Sequence, residues 1–254
     1  MTVPPAAPHS TDIGLPSQWV MRFAALVPAG EVLDLACGSG RHARLFASLG
    51  HQVLAADRDP AALAQVQAAA ADAGLPEAAI VTRQVDFETT AFGGDGSIDL
   101  RNRLQPQSLA NSPVTTLTNV PTNLSADAPS TRACHWPFGA LRFAAIVVTN
   151  YLHRPLLPYL AYSLAPGGVL IYETFAVGNG AFGKPSNPAF LLQPGELLHF
   201  ALGCTPPLRI VAFEDGHVVQ PMPAMVQRLC AVRPAESSGS VHEATPFAPQ
   251  NLRL

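Results

Sequence analysis

The sequence predicts an α/β fold, a doubly wound sheet of seven strands that is mostly parallel and ends in an antiparallel strand. Three observations predict it. Short apolar runs of strand length alternate with helical stretches along the 254 residues, and the first three of these runs each end in an aspartate: Asp34, Asp57 and Asp86. The last two runs are joined by a connection too short to cross over the sheet, so they must pair as a hairpin.

Each element can be justified in order. Residues Glu31 to His42, EVLDLACGSGRH, give a short apolar strand that ends in Asp34 and runs into a loop with glycines at 38 and 40. Gly38 and Gly40 permit positive φ and remove the Cβ atoms that would hold a ligand off the main chain, while the helix beginning near Arg41 offers free N–H groups. That helix, Arg41 to Leu49, leads to a second strand from Gln52 to Ala56, closed by Asp57 and Arg58. Asp59 followed by Pro60 is a good helix start, an N-capping acid with proline at the first helical position. A third strand, Ile80 to Val85, ends at Asp86 beside Phe87. The fourth, FAAIVVTN, has the unbroken apolar character of a central parallel strand covered on both faces, and it opens at Asn150. In LAPGGVLIYETF, Pro166, Gly167 and Gly168 turn a helix into the fifth strand. LRIVAFEDG and AMVQRLCAVRP supply the last two, turning near Asp215 and Gly216, and FLLQPGELLHFALG reads as a helix begun at Pro194 with Leu197, Leu198 and Ala201 on one face.

Residues 15–234 are therefore expected to form one domain between flexible ends, 1–14 and 235–254, and 48% apolar residues suffice for a two-sided core. Residues 88–135 have little periodicity and read as an insertion or flexible loop. Apolar runs are broken well short of the ~20 residues of a membrane span. The opening MTVPPAAPHSTD lacks a basic region followed by an apolar core, so the expected location is the cytoplasm. Cys37, Cys134, Cys204 and Cys230 are scattered, which predicts neither a metal site nor a disulfide framework. With a net charge of −3 and no basic cluster, a nucleic-acid partner is not indicated. Lys184, the chain's only lysine beside fourteen arginines, stands in a glycine-rich loop past the fifth strand, as a substrate contact or a solvated charge.

The segment VLDLACGSG closely resembles the first motif of the class I S-adenosylmethionine-dependent methyltransferases, a Rossmann-like family, and the following strands and acids stand in that family's order. A dinucleotide brings two phosphates that an acid such as Asp34 would repel, whereas S-adenosylmethionine brings a sulfonium and an ammonium that it would attract. The resemblance implies S-adenosylmethionine as cofactor, bound by Asp34, Ala36, Gly38, Gly40, Asp57, Arg58, Asp86, Phe87 and Asn150. Asp57 would accept the ribose hydroxyls, and Asp86 the adenine amino group with Phe87 against the ring. Past the fourth strand Tyr151 and His153 are the candidate catalytic residues, His153 as a general base and Tyr151, with Arg154, orienting an acceptor. Trp136-Pro137-Phe138 ahead of Phe143-Ala144 also matches the family, with alanine where an acid is usual. A weaker, local likeness, over the segment around GEL and the strand ending in Glu214-Asp215, is to the small tellurite-resistance-type methyltransferases.

The implied activity is methyl transfer to a small-molecule acceptor, with no metal and no membrane partner. Two alternatives stay open: an RNA or protein methyltransferase on the same fold, and an NAD-dependent oxidoreductase, since Gly38-Ser-Gly40-Arg-His-Ala43 also fits G-x-G-x-x-G/A with Asp57 near the offset of a ribose acid.

Overall fold

The computed structural model describes residues 14–88 and 136–235. The expected insertion and both expected flexible ends lie almost wholly outside them. Seven strands form one sheet in the order β3-β2-β1-β4-β5-β7-β6. They are β1 (Glu31–Leu35), β2 (Gln52–Asp57), β3 (Ile80–Gln84), β4 (Phe143–Thr149), β5 (Leu164–Phe175), β6 (Arg209–Val218) and β7 (Ala224–Val232). The first five pair in parallel, and β7 alone runs antiparallel, inserted between β5 and β6.

Helices cover both faces. On one side α1 (Gln18–Phe23), α2 (Arg41–Ser48) and α3 (Pro60–Asp72) bury Trp19, Phe46 and Val66 against Val32, Val53 and Val147. On the other, α4 (Leu157–Ser163) and α5 (Glu196–Gly203) bury Leu160 and Leu197 against Leu33, Val148 and Tyr172. The strands are apolar on both faces because both are covered, as parallel sheets require. The α3 start is as expected: Asp59 accepts from the Ala61 N–H at 2.9 Å with Pro60 in the first turn.

Several boundaries differ from expectation. Asp215 and Gly216 do not turn the terminal hairpin. They pair with Gln227 and Val226 inside β6, and residues 219–223 make the turn. The helix after Pro194 begins at Glu196, behind Gly195 in the left-handed region, and buries Leu197 and Ala201 with Leu198 half-buried. The six-residue α1 is too short to show a helical period.

Phe87 and Trp136, the aromatic residues flanking residues 88–135, have ring centroids 6.0 Å apart, and both pack against Phe138. The chain therefore leaves and re-enters the domain at one point. Deleting residues from about 89 to 132 and joining the ends by a short linker should leave the melting temperature and cofactor affinity nearly unchanged. Failure of the shortened protein to fold would contradict the insertion reading.

Candidate active site

In this sheet the order reverses between β1 and β4, and ligands of open α/β sheets bind beyond the carboxyl ends of the strands at such a point. Two non-glycine residues with positive φ stand there, Ala36 at +53° just past β1 and Asn150 at +55° just past β4. Backbone of this kind costs about 1–3 kcal/mol per residue and persists where the surroundings impose it, which is common at functional sites. Both residues line a cavity of about 380 Å³.

Asp57, Arg58, Asp86, Phe87 and Glu88 form one half of that cavity. Asp57 accepts two backbone bonds: Oδ2 takes the Gly38 N–H at 2.8 Å, and Oδ1 takes the Asp59 N–H at 2.9 Å. The aspartate that closes β2 thus fixes the glycine loop. Asp86 Oδ1 accepts from the Glu88 N–H at 2.9 Å, and Arg58 Nη1 lies 3.5 Å from Glu88. The opposite half is formed by Tyr151, Leu152, Thr174, Phe175, Pro185 and Phe190.

Asp34, Gly38 and Gly40 do not line this cavity; they build the loop beside it. Asp34 is 1% exposed and points at the first turn of α2, where Oδ2 accepts from the Ala43 N–H at 2.9 Å. Burial pushes its carboxyl up to about 8, against the opposing pull of that N–H and of Arg41 and Arg44. Gly40 is the N-cap of α2 at φ +74°, and a Cβ there would meet Val66.

On the acceptor side the structure places Tyr151 on the cavity wall but not His153. The chain passes into a 3₁₀ turn at Arg154–Leu156, and His153 stands at its N-cap without a side-chain capping bond. Arg154 is committed elsewhere: Nε lies 2.6 Å from Glu196 Oε1, while Nη1 and Nη2 donate to the carbonyls of Ala189 and Leu191. These contacts tie Arg154 to the segment that leads into α5.

Sequence reading missed a polar row at the same end of the sheet. His42 is 1% exposed; its Nε2 accepts from the Ser17 N–H at 3.0 Å, so Nδ1 carries the proton toward Thr149 Oγ1 at 3.4 Å. Ser17 Oγ donates to Glu173 Oε1 at 3.0 Å, and Arg228 Nε sits 2.6 Å from Glu173 Oε2, an ion pair without hydrogen-bond alignment. These contacts fasten the segment before α1 to the ends of β4 and β5. The signal available was Ser17 ahead of QWV, an N-cap whose Oγ accepts from the Trp19 N–H.

Burial holds His42 neutral, pushing its imidazole down to about 3, with Arg41 and Arg44 adding to the fall. The two buried groups act on stability with opposite sign. His42 titrates below its ordinary 6.5, so its contribution is full above 6.5 and is lost as pH falls toward 3. Asp34 titrates above its ordinary 3.8, so its contribution is full below 3.8 and is lost as pH rises toward 8. Between 3.8 and 6.5 the two slopes oppose each other, and from 6.5 to 8 that of Asp34 stands alone. Calorimetry across pH should show the melting temperature falling from 6.5 to 8, and Asp34→Asn should remove that fall. An equal fall in the variant would contradict the assignment.

Among the described residues there is no cluster of His, Cys, Asp and Glu able to hold a metal, and no helix long and apolar enough to cross a membrane. A family model described as a methyltransferase domain matches residues 32–102, across β1 to β3. No curated protein matches the chain. Solved structures similar to it include TehB from Haemophilus influenzae, at 15% identity and TM-score 0.53, covering 84% of this chain and 61% of that one. This chain thus corresponds to under two thirds of the TehB length. A SAM-dependent methyltransferase from Methanosarcina mazei is similar at 13% identity and TM-score 0.54, covering 85% and 98%. The magnesium protoporphyrin IX methyltransferase of Synechocystis PCC 6803, solved with SAH bound, is similar at 15% identity and TM-score 0.50, covering 85% and 78%. At these identities the likenesses carry the fold, and the domain match covers the glycine loop and the first three strands. Residues 32–102 match a methyltransferase domain, and the described residues have the fold of the S-adenosylmethionine-dependent methyltransferases to which they are similar.

Proposed function

We infer that the protein methylates a small-molecule acceptor, with Asp57, Asp86 and Phe87 holding the cofactor and Tyr151 facing the acceptor. The observation that carries the reading is the carboxylate of Asp57. A carboxylate has about four acceptor positions, and two here serve Gly38 and Asp59, so two remain for a pair of ribose hydroxyls. The charge of the cavity fits the same ligand. Three carboxylates line one half, and its one guanidinium is paired with Glu88, an arrangement that suits a cationic ligand and disfavours the pyrophosphate of a dinucleotide.

Held by Asp57, Asp86 and Phe87, S-adenosylmethionine would supply a sulfonium-bound methyl group for in-line displacement by the acceptor's nucleophile, with S-adenosylhomocysteine as the leaving group. The chain's own residues supply position. The Asp57 bonds fix the glycine loop, and the cavity wall built of Tyr151, Leu152 and Phe175 limits the approach of the acceptor. His153, off the cavity wall, takes no part in this reading, and the acceptor's proton leaves to water.

Incubation with methyl-labelled S-adenosylmethionine and a cell extract tests the reading. Label should appear in a small molecule chromatographically distinct from S-adenosylmethionine and its breakdown products. Label confined to RNA or protein would overturn the small-molecule acceptor while leaving methyl transfer intact.

A further inference from the structure

The acceptor-side wall is a fixed surface. Asn179, 1% exposed, donates through Nδ2 to the Pro185 carbonyl at 3.0 Å and accepts at Oδ1 from the Met225 N–H at 3.1 Å. Arg154 grips the other end of the same segment through the carbonyls of Ala189 and Leu191, and the Leu192 N–H donates to the Phe175 carbonyl at 3.0 Å. Pro185 and Phe190 are therefore held over the cavity from both sides. Phe190 nevertheless leaves 49% of its surface exposed, an apolar ring kept in place without a covering partner among the described residues.

Charge is sorted along this surface. Asp57, Asp86 and Glu88 line the first cavity together with Arg58, which lies 3.5 Å from Glu88. Tyr151, Leu152, Phe175 and Phe190 give a middle section that is apolar apart from the phenol. Pro185 and Phe190 also line a second, shallower depression outside the first, and its remaining residues are Lys184, Ser186 and Asn187. Lys184 has no ion-pair partner among the described residues. Beside the cofactor's carboxylates, a ligand spanning both depressions meets apolar surface in the first and a cation in the second.

We propose that the methyl acceptor is a flat, apolar ring compound bearing an anionic group, its ring seated among Tyr151, Leu152, Phe175 and Phe190 and its charge at Lys184. This rests on the methyl-transfer reading above. The first cavity also holds the cofactor, so the acceptor's nucleophile faces inward to it and the anionic group lies outward at Lys184. Apolar contact supplies the larger share of affinity, and an exposed lysine the smaller, because solvent screens it.

The test titrates 2-naphthoate and its uncharged analogue 2-naphthamide into protein saturated with S-adenosylhomocysteine. Naphthoate should bind about two- to fivefold more tightly than naphthamide, the span of an exposed ion pair. Lys184→Met, which keeps the apolar stem, should erase that preference without changing naphthamide, and Phe190→Ala should weaken both by about tenfold or more. Equal binding of the two probes, a preference that survives in Lys184→Met, or binding of neither by protein that holds S-adenosylhomocysteine would overturn the proposal. Failure to bind S-adenosylhomocysteine at all would instead strike the methyl-transfer reading, and the proposal would fall with it.

Discussion

Replacing Asp57 with alanine is expected to weaken binding of S-adenosylhomocysteine by about 1.5–3 kcal/mol, roughly ten- to a hundredfold in dissociation constant, the worth of a pair of charge-assisted hydrogen bonds. Both oxygens of this carboxylate already hold backbone, Gly38 on one and Asp59 on the other. The substitution thus removes the acceptors for the ribose and also releases the loop that carries the ligand. Asp57→Asn separates the two effects, since one amide oxygen can still accept the Gly38 N–H while the charge is lost. Its dissociation constant should fall between those of wild type and alanine. Isothermal titration decides the matter, and an unchanged constant in folded Asp57→Ala would remove the residue from the ribose role.

The second large effect concerns Gly40 and is read in stability. A Cβ built there lies 2.7 and 2.9 Å from the two γ-carbons of Val66, which is fully buried on α3. Valine in a helix has essentially one rotamer, so it cannot swing aside, and α2 and α3 would have to separate. Gly40→Ala should cost about 2–4 kcal/mol, combining roughly 1 kcal/mol for an L-residue at φ +74° with 1–3 kcal/mol of overpacking. Gly38→Ala is the control. Its φ is also positive, at +53°, but nothing lies within 4 Å of the added carbon, so only about 1 kcal/mol should be lost. Urea unfolding of the two variants should therefore differ clearly in midpoint. Equal losses would show that backbone conformation, not the closeness of α2 to α3, dictates glycine at position 40.

The sheet was legible because its strands are short apolar runs bounded by glycine, proline or acid, and because Asp57 and Asp86 mark two strand ends that both reach the cavity. Asp34 was harder to read. β1 is covered on both faces, so alternation along EVLDL does not say which face meets a ligand, and Asp34 shares the α2 face with Val32. Nearness in sequence to the end of β4 made His153 and Arg154 candidates, yet the 3₁₀ turn beginning at Arg154 carries both off the wall. No local pattern could have shown that Arg154 meets Glu196, 42 residues on. Asp215 and Gly216 have turn composition, but pairing with β7 along the whole of β6 overrides that preference. The contacts of Ser17 with His42 and Glu173 span 25 and 156 residues, beyond any periodicity.

The central claim is that this cavity takes a cationic, phosphate-free nucleoside ligand. Equilibrium titration of the full chain with S-adenosylmethionine, NAD and NADP tests it most directly. The account predicts saturable binding of S-adenosylmethionine, weakened in Asp57→Ala, with no measurable binding of either dinucleotide. Binding of NAD or NADP in preference to S-adenosylmethionine would contradict it.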